Sequence, residues 1–204
     1  TLERSLEVRP FPLTYVHQAE LQWAVKQDAD ALLSFERARQ QAVARRDPRA
    51  LAGLVALLER RGEVLQAQEL SRLLVEVHLT TGNLAAARRV LDGLGPDDDL
   101  SVLRLRARLL AASGRQENGV ALFDAYLQRR GQTATADDWV AKAQFLRQQG
   151  LVENAVAAYT TARGLESPQA MPASLELADW YAERQDFQAA LRLYEEVRTK
   201  SGSR

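Results

Sequence analysis

The side chains that could perform covalent chemistry are few in this sequence of 204 residues. There are two histidines, His17 and His78, and no cysteine, which excludes disulfides, thiolate metal sites and cysteine nucleophiles together. No Gly-rich phosphate loop, no HExxH and no Gly-x-Ser-x-Gly occurs in the sequence. We therefore expect a protein that is not an enzyme and that holds neither a cofactor nor a metal ion.

Acidic residues form one compact run, Asp97-Asp98-Asp99. Three acids in a row could begin a calcium loop, but the EF-hand pattern needs alternating acids, a central glycine and a distal glutamate, and none of these follows. Carboxylates also accept hydrogen bonds from the free N–H groups at the start of a helix and interact favourably with its dipole. We interpret this run as capping of the next helix.

The overall charge excludes two classes of partner. Lys plus Arg and Asp plus Glu each number 27, so no net field attracts nucleic acid or an anionic membrane. No apolar run approaches a membrane span, and no signal-peptide pattern opens the sequence. We expect no contact of this segment with nucleic acid or membrane, while periplasm and cytoplasm both remain open.

The elements that must position any site are predicted to be helices. Ala, Leu, Arg, Gln and Glu dominate the chain, and aromatic residues make up only 6% of it. Over residues 139–168, large, small and turn residues recur in an ordered series. The series is Trp139, Ala143, Gly150, Ala155, Tyr159, Ala162 and Pro168.

This series resembles the tetratricopeptide repeat (TPR), a pair of antiparallel helices that recurs every 34 or so residues. The turn position recurs with spacings of 32 (Gly82 to Gly114), 36 (Gly114 to Gly150) and 35 (Gly150 to Gln185) residues. Residues three, four and seven apart share one helix face, so each hairpin needs a neighbour to cover its second apolar face. The resemblance implies an all-α, TPR-type α-solenoid of stacked antiparallel helical hairpins.

The predicted array covers residues 12–204. Its repeats span about 12–46, 47–66, 67–99, 100–135, 136–170 and 171–204, and Gly119 stands where the family usually has alanine, which indicates close helix contact. The phase is irregular at 62–82, because only 20 residues separate Gly62 from Gly82. Residues 64–80 therefore form either one long helix shared by two repeats, or the boundary of a missing segment.

Both ends of the sequence resemble cut edges of a longer array. Residues 1–11 are expected to be the tail of a truncated preceding repeat, with Ser5 and Pro10 in phase, although Pro10 would also simply end a helix. The last helix, with Leu191, Leu193 and Val197, should then expose an apolar face. We expect the isolated chain to self-associate through these repeat ends.

The TPR resemblance also implies a concave groove lined by fixed positions of each first helix, which would bind a protein partner. In this chain those positions hold Arg72, Glu76, Arg104, Arg108, Asp137, Gln144, Arg147, Gln148, Asp179 and Glu183. The clamp for acidic chaperone tails needs Lys and Asn where Arg104 and Arg108 stand, so that ligand is not expected. An Arg pair one turn apart can instead hold a carboxylate of a partner. The alternative is that these are ordinary solvated surface charges.

Two aromatic residues and one histidine have an ordinary structural interpretation beside a functional one. Trp23 and Trp180 could stack on sugars or peptides, but core packing is the favoured interpretation. His78 occupies a core-facing position of the repeat pattern, where a packed histidine is more common than a base.

A second resemblance concerns composition rather than a motif. The Ala, Leu, Arg and Gln-rich sequence is similar to the periplasmic TPR regions of bacterial outer-membrane exopolysaccharide exporters of the Pel and cellulose type. It implies a scaffold in the periplasm that docks a polysaccharide-modifying enzyme, with polysaccharide as a second candidate ligand. The competing hypothesis is a cytoplasmic TPR adaptor or assembly chaperone that binds partner peptides.

Overall fold

A computed structural model describes residues 12–45, 48–95, 99–165 and 170–202, and every regular element in these ranges is helical. Expectations about residues 1–11 and about Asp97, Asp98 and Pro168 lie outside the described ranges. The α-helices are α1 (Pro12–Ala24), α2 (Asp28–Arg45), α3 (Pro48–Arg61), α4 (Val64–Thr80), α5 (Leu84–Asp92), α6 (Leu100–Ala112), α7 (Gln116–Arg130), α8 (Ala136–Gln148), α9 (Val152–Gly164), α10 (Ala170–Glu183) and α11 (Phe187–Gly202).

The chain divides into two compact units, Thr1–Pro96 (unit 1) and Asp97–Arg204 (unit 2). In unit 2 the pairs α6/α7, α8/α9 and α10/α11 pack as helical hairpins, and each first helix also packs on the first helix of the next pair. In unit 1 the pairs α1/α2 and α3/α4 pack in the same way.

Six helix-connecting turns share one backbone geometry. In the turn at Gly150, the Gly150 N–H donates to the Arg147 carbonyl at 3.0 Å and the Leu151 N–H donates to the Leu146 carbonyl at 3.0 Å. These two bonds form a Schellman motif, which requires a left-handed residue. Glycine occupies that position in four turns, but Lys26 (φ 63°) and Gln185 (φ 65°) occupy it in the first and last. The first turn is therefore centred at Lys26.

The irregular segment is one continuous helix. Helix α4 runs from Val64 to Thr80 and packs against both α3 and α5. It therefore serves as the second helix of one hairpin and the first helix of the next, which is the single-helix alternative for residues 64–80.

Small residues allow the closest helix contacts. A Cβ atom built on Gly119 would lie 2.6 Å from Cζ of Phe145 and 3.1 Å from the carbonyl oxygen of Ala107. Such distances are shorter than van der Waals contact, so glycine is required where α7 meets α8 and α6. Gly119 therefore has the close-packing role expected from the sequence.

Capping begins the helices that carry the candidate site. The Asp99 carboxylate accepts a hydrogen bond of 2.8 Å from the Ser101 N–H, so this acid caps α6 as expected. At the start of α8, Thr135 and Asp138 form a reciprocal capping box. Among the described residues no group of three potential metal ligands occurs. None of the described helices is long and apolar enough to cross a bilayer.

Candidate functional site: the first-helix face of unit 2

Eight of the ten residues predicted for the partner-binding groove lie on three neighbouring helices of unit 2. Helices α6, α8 and α10 are the first helices of their hairpins, and they pack side by side. We call their shared polar surface the first-helix face. It carries Arg104 and Arg108 from α6, Asp137, Gln144, Arg147 and Gln148 from α8, and Asp179 and Glu183 from α10.

The other two predicted residues, Arg72 and Glu76, lie on α4 in unit 1. Arg72 is half-buried and Glu76 is exposed. Helix α4 belongs to unit 1 and helix α6 to unit 2. The geometry that follows therefore concerns unit 2 alone.

A chain of hydrogen bonds crosses the first-helix face. The Arg104 guanidinium donates to Oε1 of Gln144, and Nε2 of Gln144 lies 2.9 and 2.8 Å from the two carboxylate oxygens of Glu176. The amide of Gln144 therefore has one defined orientation, with its oxygen toward Arg104 and its nitrogen toward Glu176. Three helices are linked side chain to side chain on this surface.

The core anchors the chain of hydrogen bonds through Tyr159. Its hydroxyl donates to Oε2 of Glu176 at 2.9 Å, while its ring is only 1% exposed. Burial raises the pKa of Tyr159, and the nearby Glu176 carboxylate raises that pKa further. The phenol therefore stays protonated and acts as a permanent donor, which fixes the Glu176 carboxylate.

Two further contacts occupy the α10 side of the face. Arg147 lies 3.4 Å from Oε2 of Glu183, in an exposed ion pair that contributes little to stability. The hydroxyl of Tyr194 donates to the Asp179 carboxylate, and this hydrogen bond raises the pKa of Tyr194. Acceptors thus concentrate on α10, whereas α6 presents guanidinium groups.

Glu176 and Tyr159 are functional candidates that the sequence reasoning did not select as groove residues. Glu176 does not occupy one of the groove positions that the TPR pattern specifies, and Tyr159 was assigned to the core. One signal was available, because Glu176 is an acid within an otherwise apolar stretch between Leu175 and Leu177. Its contact with Gln144, however, depends on the spacing between two helices.

The two histidines belong to unit 1. His17 on α1 is exposed, with Nδ1 lying 3.3 Å from the Glu20 carboxylate. His78 on α4 is buried, as its core-facing position predicted. Burial lowers the pKa of His78, and the neighbouring Arg89 lowers it further.

Each tryptophan ring has a cation over it. Arg184 lies 5.0 Å from the Trp180 ring centroid, Lys142 lies 5.4 Å from that of Trp139, and Arg60 lies 5.9 Å from that of Trp23. Trp180 is 7% exposed, and Trp23 packs against the apolar cluster that contains Phe35. Core packing, the favoured interpretation for Trp23 and Trp180, is what the structure shows.

Unit 1 contains a separate groove of about 420 Å³ between α3, α4 and α5. Its buried floor contains Ala67, Ser71 and Leu74, and Glu59 and Arg89 flank it. The groove does not include Arg72 or Glu76, so it is distinct from the predicted groove residues.

Comparison with known proteins supports the fold rather than a function. Neither family models nor curated proteins gave a match. A crystal structure of a tetratricopeptide repeat protein from Parabacteroides merdae is similar over 97% of this chain and 83% of that one, with 12% identity and a TM-score of 0.51.

Two further structures are less similar. The Cut9-Hcn1 hetero-tetramer of the APC/C matches over 95% of this chain and 40% of that one, with 15% identity and a TM-score of 0.46. A thermophilic TPR protein of Thermus thermophilus matches over 83% and 98%, with 19% identity and a TM-score of 0.43.

The fold is therefore of the type expected from the sequence. It is an all-α, TPR-type α-solenoid fold, built from packed helical hairpins.

Proposed function

We propose that this chain is a non-catalytic TPR scaffold that binds a protein partner on the first-helix face of unit 2. The observation that carries this proposal is the lateral chain from Arg104 through Gln144 to Glu176. It holds polar groups from three neighbouring first helices, α6, α8 and α10, in a defined arrangement in the free protein. Such preorganisation reduces the cost of ordering side chains on binding.

The charges on this face define the chemistry of the partner. Arg104 is exposed and donates to a neutral amide, and it makes no ion pair with the described residues. Its guanidinium can therefore donate two hydrogen bonds to a carboxylate of the partner. The α10 side carries Asp179 and Glu183, which suit a basic group. The fitting partner presents an acidic group over α6 and a basic group over α10.

Charge reversal on α6 tests this proposal. We expect the double variant Arg104→Glu, Arg108→Glu to lose the partner, because both guanidinium groups are replaced by carboxylates that repel its acid. The matched control is Arg88→Glu, Arg115→Glu, which reverses two exposed arginines outside the first helices of unit 2. The partner is first captured with the intact parent protein and identified, and its affinity for each variant is then measured by calorimetry. Equal affinity of both double variants would refute binding on this face.

The proposed setting is a bacterial exopolysaccharide export or modification complex in the periplasm. A polysaccharide-modifying enzyme is then the protein partner, and the polymer itself is a second ligand. The support is the compositional resemblance to the TPR regions of exopolysaccharide exporters. A membrane anchor or signal sequence upstream and a β-barrel downstream in the parent gene would agree with this setting. Fractionation of the parent protein with cytoplasmic markers would instead favour the alternative, a cytoplasmic adaptor or assembly chaperone that binds peptides.

We also propose self-association through the repeat ends. Exposed apolar residues occur on α11, where Phe187 is 61% and Leu191 is 59% exposed, and on α1, where Leu21 is 57% exposed. Leu193, which was expected to be exposed, is 8% exposed and belongs to the core of unit 2. The apolar surface of α11 is therefore formed by Phe187 and Leu191.

A further inference from the structure

Two exposed leucines lie close in sequence to helix-connecting turns, one on the first helix of a hairpin and one on the second. Leu21 on α1 precedes the turn residue Lys26 by five positions, and Leu191 on α11 follows the turn residue Gln185 by six. Their side chains are 57% and 59% exposed. The same two positions occur in every helical hairpin, so the interior hairpins show what contacts these positions normally make.

In the interior, the two positions belong to one apolar cluster at each of three junctions between successive hairpins. The residue five before the turn is buried at three junctions, with exposures of 0% for Leu57, 4% for Phe145 and 7% for Trp180. The residue six after the preceding turn is half-buried and belongs to the same apolar cluster in each case. The pairs are Leu57 with Leu32, Phe145 with Val120, and Trp180 with Val156.

Leu21 and Leu191 therefore occupy the two positions of this repeated junction, one in the first hairpin and one in the last. Val25, one turn after Leu21, is 66% exposed, and Phe187, one turn before Leu191, is 61% exposed. Each end thus presents an apolar pair rather than an isolated residue, which is typical of a surface that binds another protein.

We propose that α1 of a second copy of this chain packs on α11, with Leu21 of the second copy against Leu191, in the same register as the interior junctions. This inference rests on the proposed self-association and specifies its geometry. It commits to a second copy because one chain carries both halves of a contact that it already makes three times within itself.

The contact is heterologous, because two different surfaces meet. Each bound copy leaves its own α11 available, so association continues head to tail rather than stopping at a dimer.

The principal test uses two variants that each block one end, Leu21→Asp and Leu191→Asp. The chain should form species of increasing size with concentration in sedimentation velocity, whereas each variant alone should be monomeric. A mixture of the two variants should form a 1:1 dimer and nothing larger, because one intact α11 surface and one intact α1 surface remain. The matched control is Leu65→Asp, which alters a leucine that is 78% exposed on α4 and should associate like the unaltered chain.

Circular dichroism of each variant confirms that the helices remain folded.

Several results would overturn the proposal. They are a monomeric chain at millimolar concentration, a mixture of the two blocked variants that stays monomeric, or either blocked variant alone still associating. These outcomes are independent of partner binding, because the Arg104→Glu, Arg108→Glu variant alters neither end and should associate like the unaltered chain.

Discussion

The hydrogen bond between Tyr159 and Glu176 should couple the stability of the core to the first-helix face. The hydroxyl of Tyr159 lies 2.9 Å from Oε2 of Glu176, and the tyrosine side chain is 1% exposed. Glu176→Ala removes the carboxylate that accepts the phenol O–H, so the hydrogen of the buried hydroxyl loses its acceptor. An unsatisfied buried hydroxyl costs about 1–3 kcal/mol, so we expect the free energy of unfolding to fall by about 2 kcal/mol.

Tyr159→Phe removes the hydroxyl instead of its acceptor. Glu176 is partly exposed and keeps its two contacts with Gln144, at 2.8 and 2.9 Å. We therefore expect a smaller loss of about 1 kcal/mol. When Tyr159→Phe is already present, Glu176→Ala no longer leaves a buried hydroxyl without its acceptor. The double variant should thus be more stable than the sum of the single losses implies, by about 1 kcal/mol.

Urea unfolding of the four proteins, followed by circular dichroism at 222 nm, would measure this coupling. The free energy of unfolding measured at alkaline pH provides a second test. Burial and Glu176 raise the folded-state pKa of Tyr159 above its unfolded value, so the associated stability is present below that unfolded pKa and is lost as the pH rises further. Losses that simply add, or an alkaline profile unchanged by Tyr159→Phe, would refute the coupling.

Three other predictions concern unit 2. Asp138→Ala should lower the free energy of unfolding by about 2–4 kcal/mol, because the 3% exposed carboxylate caps α8 and accepts the Tyr126 hydroxyl at 2.8 Å; an unchanged urea midpoint would contradict this. Gln185→Gly should stabilise the chain by about 1 kcal/mol, because glycine adopts the left-handed backbone conformation of this turn without strain. The control Gly150→Ala should destabilise the chain by a similar amount. Equal thermal midpoints of the two variants would contradict this explanation of the turns. Burial and Asp138 raise the pKa of Tyr126 from 10.0 to about 12. The free energy of unfolding associated with this shift is therefore present below pH 10 and should be lost between pH 10 and 12. Tyr126→Phe should reduce that loss when unfolding is measured over a series of alkaline pH values.

The fold class was accessible from the sequence because its signals are local and repeated. Gly114 and Gly150 mark turns that need a left-handed residue, and the alanines placed around them keep the hairpins in phase. At Lys26 and Gln185 the same turn is made without glycine, so the signal there was only the phase of the neighbouring helices. The role of Gly119 was also accessible from the sequence, because a glycine within a helix costs stability and therefore indicates close contact with another helix.

The candidate site was only partly accessible. The TPR pattern selected Gln144 and Arg104 by their positions, and the structure brings these two side chains into contact. It could not select Glu176, because a long side chain reaches across a helix boundary to a partner 32 residues away. Nor could it predict the division into units between Pro96 and Asp97, which assigns Arg72 and Glu76 to unit 1.

The sequence by itself determined the helices, the turns between them and the spacing of the apolar residues, because these depend on backbone preferences and on periodicity along one chain. It also determined the absence of cysteine chemistry. The tertiary structure decided that residues 64–80 form one shared helix, that Tyr159 fixes Glu176, and that Leu191 rather than Leu193 is exposed. These outcomes depend on distances and angles between helices, and such distances are set by the packing of all side chains together.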